Sequence, residues 1–285
     1  MALMMQTMWS WLWPWEPSLL VALALAAMGT WAWRARRRLG AAQRGLLAAG
    51  VALAYIVLHT RFDYYSEHEF FIHRLQHLVL HHLAPFLIAL AWPESTLARW
   101  PHCLSRLGRI GRPLRAACAP WLTALLFNGL VLLWLIPVVH FPAMLDWRLY
   151  RVMNWSMLVN GLLFWTLALR GAAPDHPRLS ATRQITMMLA VTPGQIALGA
   201  LIFFAPQELY PLYTLCGRAV HGIDAMADQQ IGGLILWIPG AMMSVAGILL
   251  VFSRRLRGTR HAAHGTDLCD AIATASPHEQ PPFAG

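Results

Sequence analysis

With 285 residues, 58% of them hydrophobic and only 12% charged, the chain has too few charges to cover a water-facing surface of its size. Its apolar residues fall in long blocks and not in short periodic stripes, which excludes a soluble α/β enzyme, a disordered chain and a disulfide scaffold. The net charge of +9 comes from arginines clustered between apolar blocks, so it reads as membrane topology and not as a groove for nucleic acid.

The fold class expected is all-α: a single polytopic bundle of transmembrane helices. Seven apolar blocks follow in chain order, at 17–33, 43–59, 70–92, 118–139, 151–169, 184–205 and 229–252, against the ~20 residues that a bilayer crossing needs. Trp9, Trp11, Trp13 and Trp15 stand just before the first block as interfacial anchors. No lysine-bearing segment or small-residue cleavage site precedes it, so no removable signal peptide is expected. Arg34, Arg36, Arg37, Arg38 and Arg44 follow block one, and Arg99, Arg106, Arg109, Arg112 and Arg115 follow block three. Arg170, Arg178 and Arg183 follow block five, and Arg254, Arg255, Arg257 and Arg260 follow block seven. The positive-inside rule places those ends in the cytoplasm, with the N-terminus outside and the C-terminus inside. Residues 1–260 then form the transmembrane domain. The polar, proline-containing stretch 261–285 reads as a disordered cytoplasmic tail, and the arginine-rich 99–116 loop has room for an interfacial helix against anionic headgroups. Cys103, Cys118, Cys216 and Cys269 make no CxxC and no framework spacing.

In this orientation the polar residues gather at the outer face. His59 ends span two and Asp63 follows it. Span three reads EHEFFIHRLQHLVLHHLAP, with His68, His73, Gln76, His77, His81 and His82. His73 and His77 are one helical turn apart, so both imidazoles project from one face at the spacing of a two-ligand metal clamp, and His81 extends the stripe a turn deeper. The alternative is a set of hydrogen-bonded structural histidines, against which stands the cost of unpaired polar groups at membrane depth. No glutamate stands in the HExxH place, so metal-dependent peptide hydrolysis lacks its general base, and no CxxCH marks a haem. His140 lies at the outer boundary of span four, Asn154 opens span five, and HGIDAMADQQIGG supplies His221, Asp224, Asp228 and Gln229 before span seven. Asp228 is open to two readings, helix cap or ligand. The acidic residues Glu16, Asp63, Glu67, Glu69, Asp146, Glu208, Asp224 and Asp228 all fall outside, a surface that attracts cations. Met153, Met157 and Met226 are read as core, although thioethers also suit Cu(I). Pro85, Pro137, Pro193 and Pro239 kink or end spans, and Gly232 and Gly233 allow close helix approach.

These residues resemble a known family. The HxxxH of span three with HHLAPFLIALAWP, the NGLLFW at 160–165, LYPLY at 209–213 and DQQIGGLILWIPG at 228–240 are similar to the caa3-type cytochrome c oxidase assembly factors, often called CtaG. The likeness covers roughly 45–255. It implies a seven-span bacterial inner-membrane protein that handles copper for the maturation of a haem-copper oxidase, with His73, His77, Asp63, Asp228 and Gln229 at the family's positions. Two departures follow from it: Leu135 and Asn154 stand where the family usually has histidine.

The reading is therefore a non-enzymatic assembly factor that binds copper at its periplasmic side. His73 and His77 are the primary ligands, and His59, His81 or Asp228 complete or orient the site. An oxidase subunit or a periplasmic copper chaperone is the expected partner, alongside the lipid bilayer and without nucleic acid. A copper or small-cation transporter ranks lower, because few ionisable groups lie below His81 and His82. A metal-free scaffold subunit of a membrane complex is the third reading. No nucleophile–base pair or phosphate cradle points to an enzyme.

Overall fold

A computed structural model describes residues 39–91, 119–169 and 179–275, with scattered helical positions at 23, 26, 27, 29, 30, 33 and 34, and side chains as far as residue 257. Apart from those positions, the expected first span lies outside the described residues, as do its leading tryptophans and the 99–116 loop. The described chain is all-helical, with no strand. Three helices are long and apolar enough to cross a membrane: α1 (Ala41–His59), α8 (Ala181–Phe203) and the Ala225–Arg257 part of α10 (Ala225–Ala275). A fourth crossing is made if α5 (Pro120–Leu135) and α6 (Pro137–Leu145) count as one span bent by 73°. The backbone of 261–275, expected to be irregular, continues α10. Large apolar side chains such as Leu125, Val159, Leu201, Ile238 and Leu249 stay exposed, as a bundle solvated by lipid requires.

Local chemistry sets each break. Thr60 ends α1, its hydroxyl donating to the Ile56 carbonyl (2.7 Å), and caps α2 (Arg61–His68) by accepting from Phe62 N (3.2 Å). The third apolar block is continuous helix made of α3 (Phe70–Leu78), a π-helical turn at Val79–Leu83, and α4 (Ala84–Ala91). Pro85 explains the turn: it has no N–H to give the carbonyl four residues back, His81 O, and the ladder widens there. Trp165 Nε1 donates to that carbonyl instead (3.2 Å). Trp165 belongs to α7 (Trp147–Ala168), which lies so close that a Cβ on Gly161 would overlap His81 O and come within 2.9 Å of Pro85 Cγ.

Pro137 opens α6 at the break after α5, whose last carbonyls have no helical partner. The carbonyls left unpaired at the bend are taken by His140 Nδ1, on Trp134 O (2.9 Å), and by Tyr210 Oη, on Leu135 O (2.8 Å). α8 and α10 meet through glycines: a Cβ on Gly199 would lie 2.7 Å from Gly233 O, and one on Gly233 2.8 Å from Gly199 O. Small residues let two membrane helices gain dispersion contacts that lipid cannot supply. One core cluster surrounds Phe70, Tyr150, Met153, Tyr210 and Tyr213; another surrounds Phe127, Phe164, Trp165 and Met188. The histidines of span three run from the first cluster to the second.

Candidate functional site

The start of α3 is held by a residue far away in sequence. Asp228, in the first turn of α10, accepts from Phe71 N (2.7 Å) and Phe70 N (3.0 Å) and pairs with Arg218 Nη1 (2.9 Å). It thus satisfies amides that an α-helix leaves open at its first turn. The N-cap of α10 itself is the exposed Asp224, which accepts from Ala227 N (2.7 Å). Arg218 also pairs with Glu69 (2.9 Å), whose other oxygen accepts from Val220 N (2.8 Å). Gln229 ties down the preceding loop, accepting from Leu209 N (2.6 Å) and donating to the Ile202 and Gln207 carbonyls. α3 and α10 therefore begin at the same end of the bundle.

With α3 anchored in this way, His73 and His77 stack on one another, ring centroids 4.3 Å apart. His73 is fully buried, and neither ring nitrogen has a hydrogen-bond partner among the described residues. On His77, Nε2 meets Asn154 Oδ1 (3.1 Å) and Nδ1 has no such partner. An amide oxygen can only accept, so Asn154 places the ring proton on Nε2 and leaves the Nδ1 lone pair available. His81 is arranged likewise, with Nε2 on Asn160 Oδ1 (2.9 Å) and Nδ1 unpartnered. This is how the second nitrogen of a metal-binding histidine is usually held.

The remaining candidates are placed differently. The π turn takes His81 off the His73–His77 stripe, onto Phe127 at 3.9 Å between centroids, and sends His82 towards Gln195 on α8. His140 comes within 5.3 Å of the His73 ring, yet both its nitrogens are engaged, Nδ1 by Trp134 O and Nε2 by Tyr213 Oη (3.0 Å). Burial pushes the Tyr213 phenol well above its ordinary value, so it keeps the proton it donates. His59 ends α1 and stacks on Tyr55 at 5.5 Å. Among the described residues no three His, Cys, Asp or Glu side chains converge on one point. The Asp228 carboxylate is committed to two amides and a guanidinium. Asp63 accepts from Gln76 Nε2 (2.6 Å) and Tyr150 Oη (2.7 Å), and the Tyr150 ring lies 6.1 Å from His73.

For several residues, some of them named from the sequence, only the structure gives the contacts. Asn154 and Asn160 orient histidines, and Arg74 is almost fully buried beside them. Met157 lines a cavity together with Arg74, His77, His81 and His82. A signal existed for the asparagines: an amide at membrane depth needs a partner, and they lie six residues apart on a span beside a histidine-rich one.

Comparison with known proteins brings one finding. The family model for the cytochrome c oxidase caa3 assembly factor matches residues 24–258. No curated protein and no solved structure matches. The chain belongs to that assembly factor family.

Proposed function

We propose that this caa3 oxidase assembly factor carries copper as cargo on the His73–His77 pair, in the outer half of a seven-span bundle in the bacterial inner membrane, and passes it to an oxidase subunit. The N-terminus faces the periplasm and the C-terminus the cytoplasm. The observation that carries the reading is the state of His73: a fully buried imidazole with two unpartnered nitrogens, stacked on a second imidazole whose Nδ1 is also unpartnered. Buried polar atoms without partners are rare and ask for an explanation, and a metal ion is one that imidazole suits. Met157 adds a thioether to the cavity wall beside His77, a donor that favours Cu(I).

Each surrounding residue has a part in this scheme. Asn154 keeps the His77 proton on Nε2 and so presents Nδ1 as a ligand. Asp228 and Glu69, through the Phe70 and Phe71 amides and Arg218, fix the first turn of α3 and hence the direction of both imidazoles. His140 is positioned by Trp134 O and Tyr213 and acts as a wall. Two imidazoles and a thioether leave the ion room for a donor from the receiving protein, which release by ligand exchange requires.

The test is the copper content and affinity of the detergent-purified protein under reducing conditions, beside a His73→Ala/His77→Ala double variant. Near-stoichiometric copper in the parent and none in the variant is the expected result. No copper in either protein would overturn the cargo reading and leave a scaffold for oxidase assembly.

A further inference from the structure

Arg74 is a buried charge without a counter-charge among the described residues. It follows His73 on α3, is 3% exposed, and has its guanidinium carbon 5.1 Å from the centroid of the Phe70 ring. Its Nε and Nη2 are buried and have no hydrogen-bond partner there. The nearby carboxylates are engaged elsewhere, Glu69 and Asp228 with Arg218, and Asp63 with Gln76 and Tyr150. A guanidinium keeps its charge in proteins, and a charge at membrane depth is costly unless paired. The face of Phe70 offers a partial answer, but it leaves the three N–H groups of Nε and Nη2 unmet. Histidine cannot make up the difference, because imidazole carries no negative charge in either of its ordinary protonation states.

Arg74 borders a space of the right size. With His77, His81 and His82 it lines a cavity of about 20 Å³, walled by Val131 and Leu236. Such a volume holds one water or one small ion. His82 in this wall is neutral with its ring proton on Nδ1, because Gln195 Nε2 lies 3.3 Å from its Nε2.

We propose that this cavity binds a small monovalent anion, of the size and charge of chloride, as the counter-charge of Arg74. Water would fill the volume but leave the charge uncompensated. Sulfate and phosphate are too large for it. The bound anion is a fixed counter-ion within the bundle, and it screens Arg74 from the His73–His77 pair. That last role rests on the copper reading; the anion site itself does not.

The test uses the full chain in detergent, stripped of metal by a chelator and exchanged into sodium gluconate. Chloride is titrated in at constant ionic strength while its NMR line width and the unfolding temperature of the protein are followed. The expected result is a saturable broadening, displaced by bromide but not by sulfate, with a parallel rise in unfolding temperature. Both effects fall at least several-fold in Arg74→Gln. Leu236→Phe, which narrows the cavity and keeps the charge, also weakens them, so the outcome does not depend on one variant folding. The His73→Ala protein, which loses a copper ligand but leaves the cavity wall intact, keeps the chloride response, which separates this site from the copper site. No saturable response in the parent, or a response unchanged in both Arg74→Gln and Leu236→Phe, would overturn the proposal.

Discussion

Replacing Asp228 with Asn tests whether the outer end of the bundle is organised as described. The carboxylate is fully buried and makes three bonds, to Phe70 N, Phe71 N and Arg218 Nη1. Phe70 N and Arg218 Nη1 both bond Oδ2, so Asn with its oxygen there keeps those two contacts without the charge, and its NH2 group faces Phe71 N. Losing a bond to a charged group costs about 1.5–3 kcal/mol, and an unmet buried donor about 1–3 kcal/mol. Arg218 retains Glu69 at 2.9 Å, which offsets part of this loss. The expected destabilisation is about 2–4 kcal/mol, read by tryptophan fluorescence during unfolding with SDS in mixed micelles. Asp224→Asn is the control: it is an exposed cap at which Asn serves as well as Asp, so it should be near neutral. A loss below about 1 kcal/mol for Asp228→Asn, well under the ~3–5 kcal/mol typical of breaking a buried pair, would refute the reasoning. So would equal losses for the two variants. Copper binding should survive Asp228→Asn, whereas its loss without destabilisation would make the carboxylate a ligand.

Asn154→Ala removes the group that orients His77 and should lower copper affinity about 10–100-fold, as an equilibrium competition with a chelator would read, while the unmet His77 Nε2–H costs about 1–3 kcal/mol in unfolding. Tyr213→Phe strips the donor from His140 Nε2 (3.0 Å) and should cost about 1 kcal/mol without changing copper stoichiometry; a drop in stoichiometry would make His140 a ligand. Cys216 is exposed in the loop before α10. In a background lacking the other cysteines, a membrane-impermeant maleimide should label it in intact spheroplasts. Labelling only after lysis would invert the proposed topology.

The family, and the pairing of His73 with His77, are legible in the amino-acid sequence alone. The reason is physical: a helix of 3.6 residues per turn puts residues four apart on one face, whatever surrounds it. The limits of that argument appear four residues later. His81 continues the spacing, but Pro85 withholds an N–H from its carbonyl and the turn opens into a π-helix. Asp228 is open, by its spacing, to reading as a cap or a ligand. It is a cap, though of α3 and not of its own helix, and sequence distance hides a bond between a side chain and the amides of Phe70 and Phe71. For His140 the type and place suggest a donor to a metal, and a carbonyl at the end of α5 has already engaged it.

Where apolar helices run, where they break and which histidines share a turn follow from the chain alone, because those properties are local: hydropathy over a span, proline's missing proton, the pitch of the helix. Only the tertiary structure decided which polar groups are spent and which are left over. His73, Arg74 and His77 are all polar residues on the same two turns of α3. The contacts that α7 and α10 bring from elsewhere make one an oriented imidazole, one an imidazole with both nitrogens unpartnered and one a charge without a counter-charge. A buried hydrogen bond is satisfied by a neighbour in space, and in a bundle of helices that neighbour is seldom close in the chain.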